Sequence, residues 1–133
     1  MTRKPDIKWV LKETVISIHD MLISEHGGSS GIRDEGLLDS ALARPKNVYN
    51  YNEGSSIFEQ AASLGYSLIK NHPFVDGNKR IALTITAVFL DLNVWELNAS
   101  EAEAVLIFTD LAAGSLDERE FSLWLDDNCI KNT

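Results

Sequence analysis

The sequence predicts an all-α fold, a single helical domain of about six helices with a short flap or hairpin. Five segments repeat apolar residues at the three- and four-residue spacing of an amphipathic helix. Capping residues, glycines and prolines separate these segments and mark where helices begin and end. A length of 133 residues, 44% of them hydrophobic, suits one core, so we expect one domain spanning residues 1–133.

The first predicted helix runs from Leu11 to His26 and stops at Gly27. It carries His19 and ends in His26, and we interpret both histidines as structural or exposed rather than catalytic.

The second predicted helix opens at Arg33 and Asp34 and runs to Arg44. We expect Pro45 to end it, because proline has no backbone N–H to donate and its ring clashes with the preceding turn. We interpret Asp34 as the helix cap and Arg33 as part of a surface or interhelical ion pair. A direct role toward a substrate is the less favoured alternative.

The next segment, Lys46–Gly54, is predicted to be extended or irregular. Its backbone edge could pair with an extended segment of a target protein, which would make it a flap. The alternative is a plain connecting loop whose tyrosines pack on the helices.

A third helix begins at a capping box formed by Ser56 and Glu59 and ends near Asn71, because Pro73 disfavours a helical conformation at His72.

Two more helices are predicted in the last third of the chain. Ser100 with Glu103, and Ser115 with Glu118, each form the pattern of a capping box, and Gly114 separates them. No residue there requires chemistry.

The segment 71–82 has the highest density of chemically useful side chains. A turn at Asp76 precedes another helix that begins near Asn78. The first backbone N–H groups of a helix have no intrahelical partner and favour an anion, and two adjacent cations add positive charge here. We therefore predict a phosphate-binding site formed by Gly77, Asn78, Lys79 and Arg80.

Two further side chains suggest what happens at this site. The carboxylate of Asp76 would repel a phosphate unless Mg²⁺ bridged them, and Mg²⁺ is commonly held by one or two carboxylates and substrate phosphates. The imidazole of His72 is suited to accept a proton from a hydroxyl nucleophile. These roles describe transfer of a phosphate-containing group from a nucleotide to an alcohol.

The nine residues from His72 to Arg80 resemble the signature of the Fic/Doc (Fido) family, H-[PX]-F-x-[DE]-[GA]-N-[GK]-R. The segment Gly27 to Pro45 is similar to the Doc branch, the death-on-curing toxins, and the resemblance spans roughly Trp9 to Leu125. It implies a Fido-type helical domain with His72 as general base and Asp76 as the Mg²⁺ ligand. It also implies that the phosphate-binding residues contact ATP, and that Phe74 seats the loop as a hydrophobic pin.

In Fic proteins the region that corresponds to Lys46–Gly54 is a hairpin that positions the side chain to be modified. The resemblance therefore implies candidate target-binding residues in the flap, which are Val48, Tyr49, Asn50 and Tyr51.

Lys79 indicates the branch, because Doc toxins carry lysine where AMP-transferring Fic enzymes carry glycine. The resemblance implies a protein kinase that transfers the ATP γ-phosphoryl group to a Ser or Thr hydroxyl of a translation factor, elongation factor Tu, and arrests translation. One alternative is a Fic-type enzyme that transfers AMP to a protein hydroxyl. Another is a non-catalytic protein that binds an antitoxin or regulator.

The inhibitory helix of some family members, [ST]-x-x-x-E-[GN], has no match here. Gly31 lies four residues before Glu35, and Tyr49 lies four before Glu53. The resemblance therefore implies a separate Phd-like antitoxin, whose disordered segment folds onto this domain.

Composition sets the remaining expectations. The net charge of −8 argues against binding of nucleic acid or anionic membranes. Neither a long apolar run nor an N-terminal signal region is apparent, so we expect a cytoplasmic protein. The single cysteine, Cys129, cannot form an internal disulfide and is interpreted as an unreactive thiol.

Overall fold

A computed structural model of the protein describes residues 6–132, which form six α-helices and two short β-strands. The helices are α1 (Lys12–His26), α2 (Glu35–Tyr51), α3 (Ile57–Asn71), α4 (Asn78–Leu92), α5 (Glu101–Ala113) and α6 (Glu118–Asn128). The strands are β1 (Trp95–Leu97) and β2 (Cys129–Lys131). The predicted all-α class is confirmed. Within the described range, no helix combines the length and apolar character needed to cross a bilayer.

Helix α3 lies at the centre of the molecule. Ten of its fifteen residues are buried, and it packs against α2, α4, α5 and α6. Gly65 lets α4 approach closely, because a Cβ atom there would lie 2.6 Å from Oγ1 of Thr86. The loop that follows α3 is thereby anchored to the most buried element of the fold.

Side-chain caps fix where several helices begin. Ser56 and Ser100 each accept a hydrogen bond from the N–H group three residues on, as predicted for α3 and α5. The predicted start of the last helix is displaced. Its capping box joins Asp117 and Glu120, because Ser115 belongs to the turn after α5 and donates back to its last turn.

The expectation that Pro45 ends the second helix is wrong. Pro45 lies inside α2, which continues to Tyr51. A proline in a helix interior costs roughly 3 kcal/mol. That cost is offset by tertiary packing, since Pro45 is buried, α2 packs along α3, and Tyr49 in the last turn contacts the ring of Trp9.

The extended or irregular conformation predicted for the flap is wrong for the same reason. Its four candidate residues are helical, so their backbone groups cannot offer a strand edge to a target. Val48 shares a cavity with Glu59 and Ala62 near the start of α3, whereas His72 follows the end of α3. At 1.5 Å per residue this separation is about 15 to 20 Å along the helix axis. The residues whose predicted conformation is corrected are Val48, Tyr49, Asn50 and Tyr51.

The two strands pair antiparallel and tie the end of the described chain to the segment after α4. Trp95 lies opposite Lys131, and Leu97 lies opposite Cys129. This small pairing is far along the chain from the predicted flap.

Candidate active site

The loop between α3 and α4 begins and ends with a left-handed residue. His72 caps α3 with φ 49° and ψ 54°, because Pro73 disfavours the right-handed helical region for the residue before it. Gly77 precedes α4 with φ 74°, a conformation that glycine adopts without a steric penalty. The chain therefore reverses within six residues and places the end of α3 beside the start of α4.

The interior of the loop is closed by Asn78. Its Oδ1 accepts a hydrogen bond from the Phe74 N–H, and its Nδ2 donates to the Phe74 carbonyl oxygen, both at 3.0 Å. Its side chain is buried and committed to the loop, so only its backbone N–H remains for a phosphate.

The ring of Phe74 seats the loop in the core. Phe74 is 1% exposed and stacks on His19 of α1, with ring centroids 3.8 Å apart and an interplanar angle of 12°. Nε2 of His19 also lies 2.8 Å from the carbonyl oxygen of Asp76. His19 is thus structural, as interpreted from the sequence, but its structural role is at the active-site loop.

The segment before α2 forms a second support for the loop. Ile32 and Phe74 form an antiparallel bridge, the Arg33 N–H donates to the Pro73 carbonyl at 2.7 Å, and the Val75 N–H donates to the Gly31 carbonyl at 3.0 Å. The loop is therefore held by α1 and by the α1–α2 connection.

Arg33 binds the end of α3. Instead of the predicted ion pair, its guanidinium donates to the carbonyl oxygens of His72 at 2.7 Å and Asn71 at 2.8 Å. A cation is favoured there because the carbonyls at a helix C-terminus carry partial negative charge. Asp34 caps α2 as predicted, accepting from the Leu37 N–H.

The hydrogen bond of His72 fixes which ring nitrogen can act as a base. Nδ1 lies 3.3 Å from the Ile69 carbonyl oxygen, which can only accept, so Nδ1 carries the proton. In the neutral ring, Nε2 then keeps its lone pair. The exposed imidazole lines the cleft described below, where Nε2 is available to a substrate hydroxyl.

Two backbone N–H groups hold the carboxylate of Asp76. Gly77 donates to Oδ1 at 2.8 Å and Ser29 donates to Oδ2 at 3.2 Å. Gly28 makes this approach possible, because a Cβ atom there would lie 2.6 Å from Oδ2.

A cleft of about 640 Å³ gathers all six predicted catalytic and phosphate-site residues. Lys79 and Arg80 are exposed in the first turn of α4, and no ion pair reaches either of them from within residues 6–132. Their charges add to the unpaired N–H groups at the helix start. The six residues are His72, Asp76, Gly77, Asn78, Lys79 and Arg80.

Another wall of the cleft comes from α5, where no sequence pattern indicated chemistry. Glu101, Val105 and Thr109 follow one another at four-residue spacing and all line the cleft. An amphipathic pattern indicates which face of a helix is buried, but it does not indicate which neighbour the remaining face meets.

A Mg²⁺ ion fits this arrangement. Each oxygen of Asp76 accepts one N–H and retains a lone pair for a cation. No cluster of three or more metal-ligating side chains occurs in the described part of the chain, so the other ligands would be phosphate oxygens and water, as is common for Mg²⁺.

Comparison with known proteins relates this loop to one family. The profile of the Fic/DOC family matches residues 9–90, more than half of the chain. The matched range includes α1, the α1–α2 connection and the whole loop between α3 and α4.

Two relatives are similar over much of the same range. A protein from Mycolicibacterium smegmatis named Toxin Doc is 45% identical over 74 residues, 55% of this chain and 57% of the relative. A protein from Escherichia phage P1 named Protein kinase doc is 32% identical over 87 residues, 65% of this chain and 69% of the relative. The alignment with the first relative therefore spans little more than half of that protein's length.

Proposed function

Because this chain belongs to the Doc branch of the Fic/DOC family, we propose that it is a toxin that acts as a protein kinase. It transfers the γ-phosphoryl group of ATP to a Ser or Thr hydroxyl of a protein. The proposed target is elongation factor Tu, whose modification arrests translation. The observation that carries the proposal is the orientation of His72, whose free Nε2 belongs to the same cleft as Lys79 and Arg80.

In the proposed reaction the substrate hydroxyl attacks the γ-phosphorus of ATP. The oxygen forms a bond to phosphorus while the bond from phosphorus to the β–γ bridging oxygen breaks, and ADP leaves with that electron pair. The hydroxyl proton passes to Nε2 of His72. A phosphorylated protein and ADP are the products.

Charge on the transferred group is stabilised from the start of α4. Lys79 and Arg80 supply full positive charges, and the backbone N–H groups of Asn78 and Lys79 supply oriented dipoles. Mg²⁺ held by Asp76 and phosphate oxygens would neutralise further charge on the phosphates. The protein's contribution is therefore mainly the positioning of charges around the phosphates, as in other phosphoryl transfers.

The proposed toxin is controlled by a separate, Phd-like antitoxin. This part of the proposal rests on the family resemblance, because neither Glu-Gly pair fits the inhibitory pattern. Among the described residues, the Glu35 carboxylate lies 2.7 Å from the Lys12 ammonium and is not one of the side chains that line the cleft. The other Glu-Gly pair, at Glu53, follows the end of α2.

Transfer of AMP to a protein hydroxyl is a second candidate function. The same base and phosphate-binding groups would serve attack at the α-phosphorus, so the shared site geometry favours both reactions. A third candidate is a non-catalytic protein that binds an antitoxin or regulator.

Two measurements, label transfer and toxicity, separate the three. The protein is incubated with elongation factor Tu, Mg²⁺ and ATP labelled at the α- or the γ-phosphate, with His72→Ala as control. Label from the γ-position alone supports the kinase, and label from the α-position supports AMP transfer. Toxicity that survives both His72→Ala and Asp76→Ala would favour the non-catalytic protein.

The Lys79→Gly variant tests the assignment to the Doc branch. We expect it to lose phosphoryl transfer, whereas Lys46→Ala, a cation on the exposed face of α2, keeps it. Unchanged nucleotide handling by Lys79→Gly would contradict the assignment.

A further inference from the structure

His19 is a polar ring buried beneath the active-site loop. It is 1% exposed, it stacks on Phe74, and its Nε2 lies 2.8 Å from the Asp76 carbonyl oxygen. Since a carbonyl can only accept, Nε2 carries the proton and donates. Nδ1 is buried and has no hydrogen-bond partner among the described residues.

The stacking alone does not explain a histidine here. A phenylalanine would keep a ring against Phe74 and would avoid a buried, unpartnered nitrogen, which is unfavourable. The feature that requires histidine is the hydrogen bond to the carbonyl of Asp76.

That hydrogen bond acts on the Asp76 side chain through one planar peptide. In a trans peptide the C=O and N–H groups point in opposite directions, so fixing the Asp76 carbonyl also fixes the Gly77 N–H. The same N–H donates to Oδ1 of Asp76 at 2.8 Å. Because glycine tolerates many backbone conformations, Gly77 alone would not stop this peptide from rotating.

We propose that His19 is a positioning residue, which orients the Asp76 carboxylate for a metal–nucleotide complex by locking the Asp76–Gly77 peptide. This inference rests on the proposed function, because it takes Asp76 as the ligand of a phosphate-bound Mg²⁺. His19 borders the cleft but is only 1% exposed, so no direct contact with the nucleotide or the hydroxyl is assigned to it. Its effect passes through Gly77 to Asp76.

Two variants separate positioning from packing. His19→Phe keeps the stacked ring and removes both the donor and the unpartnered nitrogen. His19→Gln loses the stacked ring but places an amide donor near the position of Nε2. If the role of His19 is only structural, the variant with the lower melting temperature should also have the lower nucleotide affinity. If His19 is a positioning residue, the affinity should instead depend on whether the side chain still donates a hydrogen bond to the Asp76 carbonyl.

The readout is the binding of a fluorescent ATP analogue with and without Mg²⁺, together with thermal unfolding of the metal-free protein. We expect His19→Phe to keep the melting temperature of the wild type and to lose roughly 10-fold or more of the Mg²⁺-dependent affinity, as for other residues that orient metal ligands. We expect His19→Gln to melt lower and to retain most of that affinity. A His19→Phe protein with wild-type Mg²⁺ dependence, or a His19→Gln protein no better than His19→Phe, would overturn the proposal.

The wild-type protein provides a check that needs no variant. Nitrogen-15 NMR of the His19 ring is expected to show the tautomer protonated at Nε2, and a ring protonated only at Nδ1 would overturn the proposal.

Failure of this inference is distinguishable from failure of the proposed function. Nucleotide binding is measured without a target protein, so it reports on His19 even if no label reaches elongation factor Tu. Conversely, γ-label transfer with an unaffected His19→Phe variant would leave the kinase in place and remove only the role of His19. A wild type whose nucleotide binding ignores Mg²⁺ would contradict both.

Discussion

The side chain of Asn78 is bonded at both ends to the backbone of Phe74, with its oxygen accepting from the N–H and its nitrogen donating to the carbonyl, each at 3.0 Å. Both partners are buried, so the loop between α3 and α4 has lost access to water at this point. The Asn78 side chain thus supplies the hydrogen-bond partners that the buried N–H and carbonyl of Phe74 would have in a helix or strand.

Replacing Asn78 by aspartate is expected to open the loop. The substitution keeps the shape and the acceptor but turns the donor into a second acceptor facing the Phe74 carbonyl. We expect a loss of about 1–3 kcal/mol in the free energy of unfolding, measured with urea. Asn98→Asp, on an exposed position outside the helices, should change it by less than about 0.5 kcal/mol. Equal stability of the two variants would contradict the role of Asn78.

His72→Gly is expected to be inactive but no less stable than the wild type. His72 has φ 49°, a region that costs a side-chain-bearing residue roughly 1–2 kcal/mol and costs glycine little. We therefore expect His72→Gly to unfold at a higher urea concentration than His72→Ala, with no label transfer from either. Residual transfer by His72→Gly would show that the base lies elsewhere.

Two neighbouring glycines provide a matched pair that tests the position of Asp76. Both Gly27 and Gly28 have positive φ, so alanine strains the backbone at either one. A Cβ atom at Gly27 meets nothing within 4 Å, whereas one at Gly28 lies 2.6 Å from the Asp76 carboxylate. We expect similar losses of stability, but a fall in Mg²⁺-dependent nucleotide affinity for Gly28→Ala alone. An equal fall of this affinity in both variants would contradict the role of the Asp76 carboxylate position in Mg²⁺-dependent binding.

Much of the loop could be predicted from sequence because its ends depend on local stereochemistry. Pro73 excludes a helical His72, and Gly77 accepts a left-handed conformation, whatever surrounds them. Pro45 shows the limit of such rules. The free-energy cost of a proline inside a helix is smaller than the stabilisation that tertiary packing gives to α2.

The supports of the loop could not be predicted, because they come from distant parts of the chain. His19 lies 57 residues before the carbonyl that it binds, and Arg33 lies 38 and 39 residues before its two acceptors. Neither residue belongs to a local pattern that names its partner. Glu101 was missed for the same reason, since only the packing of α5 brings it to the cleft.

The thiol of Cys129 is expected to be unreactive near neutral pH. Burial, followed by the nearby charges of Asp126 and Asp91, raises its pKa from 9.0 to about 11. At pH 8 the thiolate fraction, and with it the rate of alkylation by iodoacetamide, should be about 100-fold lower in the folded than in the urea-unfolded protein. Equal rates would contradict the raised pKa.

The same shift has a consequence for stability. Between pH 9 and about 11 the folded state retains the thiol proton while the unfolded state loses it. The free energy of unfolding therefore keeps its full value below pH 9 and falls as the pH rises through 11. The pKa of Lys12, raised by hydrogen bonds to Asp39 and then Glu35, acts in the same direction above 10.5. Cys129→Ala should therefore remove only part of this alkaline loss, as measured by urea unfolding at pH 8 and pH 11. An identical alkaline loss in Cys129→Ala would contradict the assignment to the thiol.

In the proposed reaction, His72 accepts the proton of a substrate hydroxyl that attacks the γ-phosphorus of ATP. The most direct test is the intact mass of purified elongation factor Tu after incubation with the protein, Mg²⁺ and ATP. We predict a gain of one phosphate with the wild type and no gain with His72→Ala. A gain of one AMP, or a phosphate that still appears with His72→Ala, would contradict γ-phosphoryl transfer with His72 as the base.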